Sequence, residues 1–176
     1  MGIERFRRSR KPVATDTESW FGGRMVFTVH TYLGLVSEPI EPVTSVRCVL
    51  RCRNRIMLMK DAEGRQHVLP GGRIEPGESH LGALSRELLE ETGYTLAKVE
   101  QLGACVFTHT TPRPTDDCYP YPRFVHLIYR GEAGEHNPRA WKRHGHEVSS
   151  RFVKREELDS ITLTDGERVF VDAGPP

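Results

Sequence analysis

Between residues 24 and 33 the chain alternates: Met25, Phe27, Val29 and Leu33 share one parity, and Thr28, His30 and Tyr32 share the other. A period of two marks a half-buried strand. Pro39 and Pro42 then break the pattern, because each fixes φ and removes a backbone donor. Strand-like runs resume over 43–52 and 56–60, and 66–69 leads into Pro70-Gly71-Gly72. At 79–92 the period changes to that of a helix. Leu81, Leu84 and Leu88 form an apolar stripe, Ser79 suits the N-cap and Gly93 the C-terminal cap. Further strands are expected near 97–108, 123–130 and 149–154, with loops at 109–122 and 131–147 and short helices starting near Lys154 and Thr164. Mixed strands around one dominant helix predict an α/β domain.

That helix carries the chemistry. Glu87, Glu90 and Glu91 stand at i, i+3 and i+4 and therefore share one face. Without a counter-charge such an arrangement repels by a few tenths of a kcal/mol, roughly. A hard divalent cation reverses the sign, since it seeks carboxylate, carbonyl and phosphate oxygens. Arg86 can pair with Glu90 and orient the cluster. Taken alone, three acids read more simply as a solvated helix face. The loop in front changes that: Gly71 and Gly72 let backbone approach a ligand, and Glu78 stands just before the helix.

Composition narrows the classes. A chain of 176 residues suits one domain on a prior of about 100–200 residues each. The formal net charge of +1 offers no global field for a nucleic acid or an anionic membrane, so neither is expected as a partner. No apolar run approaches the ~18 residues of a span, and no secretory h-region opens the chain, so a cytoplasmic location is expected. Four cysteines (48, 52, 105 and 118) suit reduced thiols; Cys48 and Cys52 lie in one strand, too far apart to share a metal. Residues 1–19, with Arg5, Arg7, Arg8, Arg10 and Lys11, read as a flexible basic tail. Residues 20–42 read as an extra strand and linker, in which Trp20 and Phe21 either build a homodimer face, cover a substrate pocket or simply belong to an edge strand.

Gly72, Glu78, Arg86-Glu87-Leu88, Glu90-Glu91 and Gly93 fall at the spacing of the Nudix box, and the chain resembles the Nudix hydrolase family over residues 43–173. Tyr94 stands where the family usually has an aliphatic residue. The resemblance implies a Nudix-like α-β-α sandwich with a mixed central sheet. It implies hydrolysis of the pyrophosphate bond of a nucleoside diphosphate linked to another moiety: an ADP-ribose-like compound, a nucleotide sugar, a dinucleotide or a nucleoside triphosphate. Mg²⁺ or Mn²⁺ would be held by Glu87, Glu90, Glu91 and a carbonyl of Gly71 or Gly72. Glu87, Glu90 and Arg86 would then serve catalysis, with Glu147, just before the last strand, as the candidate base from a later loop. Glu132 and Glu135 are poorer candidates, and His144 and His146 flank the same loop. For the nucleotide, the stretch 109–124 is expected to matter, with Arg113, Tyr121 and Arg123 as candidate substrate contacts beside Tyr119 and Phe124. The alternative is a catalytically weak Nudix-fold module that binds a nucleotide or regulates a partner.

Overall fold

A computed structural model describes residues 2–36, 40–113, 119–142 and 147–173, the side chain of Glu147 excepted. The elements in order are α1 (Ile3–Ser9), β1 (Ala14–Trp20), β2 (Met25–Leu33), β3 (Val43–Cys52), β4 (Arg55–Asp61), β5 (Gln66–His67), β6 (Gly71–Arg73) and α2 (His80–Thr92). Then come β7 (Tyr94–His109), β8 (Arg123–His136), β9 (Glu147–Lys154), a 3₁₀ turn at Arg155–Ser160 and α3 (Asp165–Asp172).

Among the described residues the strands form one mixed sheet in the order β1-β2-β7-β8-β3-β4-β5, with β6 beside β3 and β9 beside β4. The central β3–β8 pairing is parallel and the other named pairings are antiparallel. Alternation along β3 divides the core. Val46, Cys48 and Leu50 face a layer with Ile3 and Phe6 of α1 and Ala83, Leu84 and Leu88 of α2. Val49 faces the other layer with Phe27, Phe107, Phe124, Leu158 and Phe170. Helices thus cover both faces, which is the expected sandwich.

Helix α2 matches its expected limits. Ser79 Oγ accepts from the Gly82 N–H at 3.1 Å, and the helix stops at Gly93 in the left-handed conformation. Its inner stripe is Ala83, Leu84, Leu88 and Thr92; Leu81, expected inside, is 46% exposed. The first turn overhangs the sheet, so the packing starts two residues later.

The largest departure lies at the N-terminal end. Residues 2–19, expected as part of a loose tail, are not one. Ile3 and Phe6, one helical turn apart, bury in the core, and the Phe6 ring meets Tyr32 edge-on at 5.0 Å. Arg5 and Arg8 are exposed on that short helix, and Arg10, just past its end, donates to the Leu35 carbonyl at 2.7 Å. Strand β1 then pairs with β2 along its whole length, and the Asp16 carboxylate accepts from the N–H groups of Asp165 and Gly166 at 2.9 and 3.0 Å, capping α3. Two apolar residues among many charges are easily overlooked, yet they suffice once helical spacing sets them side by side. Elsewhere β7 and β8 outrun their expected limits, forming one long hairpin, while the 66–69 strand contracts to two residues.

Candidate active site

Strand β6 lies antiparallel to β3, with Gly72 opposite Val46 and Gly71 opposite Arg47. Gly71 has φ +130°, and a Cβ there would lie 2.3 Å from the Val46 carbonyl oxygen, so no other residue fits. At Gly72 a Cβ would lie 2.4 Å from the Glu87 carboxylate. The missing side chain is what lets this carboxylate rest on the strand. With its apolar stripe fixed in the core, α2 must turn its acidic residues towards β6.

Arg86 organises the acids. Its Nε and Nη2 donate to the two oxygens of Glu78 at 2.8 and 2.9 Å, a bidentate pair, and Nη2 also donates to the Arg73 carbonyl at 2.9 Å. Its Nη1 donates to Glu87 Oε1 at 2.9 Å and lies 3.8 Å from Glu90 Oε2. The main partner of Arg86 is therefore Glu78, eight residues back, rather than Glu90. The guanidinium and the Glu75 N–H hold the Glu78 carboxyl down at about 2, and the same acids raise Arg86 above its ordinary range.

Glu91 does something different: its Oε2 accepts from the Gly71 N–H at 2.7 Å and ties the helix to the strand. Glu90 carries a second cation. Lys142 Nζ donates to Glu90 Oε1 at 2.5 Å, and the Lys142 backbone N–H donates to the Glu90 carbonyl at 2.8 Å. No sequence pattern signals Lys142; only the return of the chain past α2 brings it there.

Among the described residues no three carboxylate, imidazole or thiol groups converge on one point. Two carboxylates do share a focus, since Glu87 Oε1 and Glu90 Oε2 both face Arg86 Nη1. The donor set fits Mg²⁺ or Mn²⁺: the nearby groups are carboxylates and backbone carbonyls, all hard oxygens, and the Gly72 cradle holds one carboxylate against the strand. Glu91 is committed to the Gly71 N–H through one of its oxygens.

The other expected residues scatter. Glu147 opens β9 opposite Asp61, with its side chain outside the described residues, as are His144 and His146. The segment before them runs along α2, because the Asn137 N–H donates to the Gly93 carbonyl at 2.7 Å and Lys142 meets Glu90. Arg113 is exposed, and Tyr121 is exposed beside His109, with ring centroids 5.1 Å apart. Arg123 turns to α1 instead, donating to Glu4 and, at 3.2 Å, to Thr108 Oγ1. Strand parity explains it: Arg123 shares a face with Val125, whereas Phe124 and His126 share the other. Trp20 packs inward against Phe27 at 4.6 Å, while Phe21 is 58% exposed.

A profile of the NUDIX domain matches residues 41–173, and the chain belongs to the Nudix family. Over 55 residues it is 46% identical to a candidate 8-oxo-dGTP diphosphatase of Bacillus subtilis, a match spanning 31% of this chain and 37% of that protein. The chain thus matches little more than a third of the length of this relative. Among solved structures, a pyrophosphohydrolase of Bacillus subtilis superposes with a TM-score of 0.58 at 16% identity, covering 90% of this chain and 89% of the other. A NUDIX hydrolase from Nitrosomonas europaea gives 0.58 at 20% identity, covering 75% and 87%. The NUDIX domain of Shewanella oneidensis NrtR, solved with ADP ribose, gives 0.54 at 17% identity, covering 74% and 85%. These structures share the fold. No helix among the described residues is long and apolar enough to cross a membrane.

Proposed function

We propose that this protein hydrolyses the pyrophosphate bond of a nucleoside diphosphate derivative with the help of Mg²⁺ or Mn²⁺. The observation that carries the reading is the pair Glu87 and Glu90, both turned to Arg86 Nη1, with the Glu87 carboxylate resting against the Gly72 backbone. Glu87, Glu90 and Glu91, with a carbonyl of Gly71 or Gly72, would hold the cation. Bound there, a divalent ion supplies charge neutralisation of phosphate oxygens and a lowered pKa for water. The chain's own residues do the rest. Arg86 fixes the carboxylate rotamers through Glu78, so little reorganisation is needed when substrate arrives. A carboxylate then takes the proton of the attacking water, a contribution of typically ~10²–10⁴-fold. Glu147 is our candidate for that base, since Lys142, five residues before it, meets Glu90. Attack on one phosphorus releases a nucleoside monophosphate and the remaining phosphorylated half.

The candidate substrates are nucleoside triphosphates, including oxidised forms, ADP-ribose-like compounds, nucleotide sugars and dinucleotides. The Bacillus subtilis relative favours the triphosphate class and the ADP ribose complex of the Shewanella oneidensis domain the second. Product release should be followed by chromatography across this set in Mg²⁺, Mn²⁺ or EDTA. Turnover of one compound, abolished by EDTA and lowered at least ~100-fold in Glu87→Gln with the fold intact, is the expected result. Undiminished turnover in Glu87→Gln would remove the proposed centre. Nucleotide binding without product under either cation would make the chain a binding module.

A further inference from the structure

The N-terminal hairpin, which precedes the matched domain, reaches into the interior near the box. Asp16, Glu18 and Trp20 alternate with exposed neighbours along β1 and so share its inner face. Trp20 is half-buried in a nest of rings: Phe27 at 4.6 Å, Tyr119 at 5.2 Å and Phe107 at 5.4 Å between centroids. His126 lies behind them, its ring within 17° of parallel to that of Trp20. It is only 6% exposed, and its buried Nε2 has no hydrogen-bond partner among the described residues. Native interiors rarely leave such an atom unmade. Glu18 is equally out of place for a solvated acid. Its Oε2 accepts from the Trp20 indole N–H at 2.8 Å, and burial raises its pKa. The half-exposed members of this group share one neighbourhood with Arg73, whose guanidinium sits 4.1 Å from the Tyr119 ring centroid. The Arg73 carbonyl is in turn held by Arg86, so the rings and the acidic helix are joined through one residue.

We propose that Glu18, Trp20, Tyr119 and His126 form the seat of the nucleobase, with the Trp20 and Tyr119 rings supplying apolar contact and His126 Nε2 and the Glu18 carboxyl reading the polar edge. Resting on the function proposed above, this assigns base recognition to a strand outside the matched domain. The chemistry selects a planar heterocycle with an N–H edge: rings give face contact to any base, while a carboxyl and an orphan imidazole discriminate by hydrogen bonds. Arg73 links this seat to the phosphates at the box.

The test uses the full chain carrying Trp141→Phe, which leaves Trp20 as the only indole of the two in the sequence. Its fluorescence is titrated with GMP, AMP, CMP, UMP and ribose 5-phosphate in EDTA. At least one base-bearing monophosphate should bind about 10-fold or more tightly than ribose 5-phosphate. Glu18→Gln and His126→Phe should each weaken that nucleotide about 5- to 50-fold and leave ribose 5-phosphate unchanged. On the cleaved substrate the same changes should raise KM with kcat nearly constant. Equal binding of all five probes overturns the proposal, as does parental affinity in folded Glu18→Gln, a half-buried substitution that decides the matter even if His126→Phe fails to fold. Nucleotide binding with these losses but no turnover would sink the hydrolase reading and keep the seat. Metal-dependent turnover with an unchanged KM in Glu18→Gln would do the reverse.

Discussion

Lys142 holds Glu90 at both ends: its backbone N–H donates to the Glu90 carbonyl at 2.8 Å and its ammonium to the Glu90 carboxylate at 2.5 Å. The tethered cation sits where a metal ion would need to draw the same carboxylate. Lys142→Met should therefore raise Mn²⁺ affinity, by about 2- to 5-fold because the ammonium is largely solvent-exposed and screened. Counting free Mn²⁺ by electron paramagnetic resonance checks this; weaker binding in the variant would mean that Lys142 positions Glu90 for the ion instead of competing with it.

Gly72→Ala is expected to be a site mutation more than a folding mutation. Its methyl group would have to occupy space 2.4 Å from the Glu87 carboxylate, which can swing away, whereas at Gly71 the obstacle is the Val46 backbone. Turnover should fall about 10²-fold or more when a ligand is displaced by an ångström, with the melting temperature little changed. Gly71→Ala, by contrast, should show its loss in thermal unfolding first.

Acid should separate two contributions to stability. Glu78 has a folded pKa of about 2, below its ordinary 4.5, so the ion pair with Arg86 contributes in full above pH 4.5 and is lost as pH falls towards 2. Glu78→Gln should flatten the melting-temperature profile across that window. His126 adds a second window at higher pH. Burial and the positive charge of Arg47 and Arg73 push its pKa well below 6.5, so below pH 6.5 the unfolded state binds the proton and folding stability declines. In His126→Phe that upper slope should vanish while the lower one stays; a profile unaltered above pH 5 would show His126 to be titrating normally.

The N-terminal helix should be worth more than its length suggests. Phe6 is 2% exposed, so Phe6→Ala is expected to cost about 3–5 kcal/mol in chemical denaturation, the usual range for a buried phenylalanine. A change within about 0.5 kcal/mol, the surface norm, would favour the flexible tail expected over residues 1–19.

The acidic centre was legible because it is local. Ser79, Arg86, Glu87, Glu90, Glu91 and Gly93 lie within one helix and its caps, so spacing alone places them on a face. What was not legible depends on register across the sheet. Trp20 meets His126 only because β1 lies along β2, β2 along β7 and β7 along β8, and no periodicity in any one segment announces it. Arg123 is a second case of register at work. A basic residue beside aromatics suggested a substrate contact, but strand parity turned it to Glu4. Lys142 lies on an irregular stretch whose course is set by hydrogen bonds to α2 rather than by any pattern of its own.

The parallel pairing of β3 with β8 sets Val43 beside Val125 and Ile128 beside Arg47, and the whole box lies in the loop between these partners. Such a closure depends on contacts distant in the chain, which form slowly because the intervening segment must first be brought round. A nascent chain that has just finished the box therefore holds every acid of the motif but lacks β8 to fix β3, the strand on which Gly71 and Gly72 rest. During synthesis the centre is written early and assembled late.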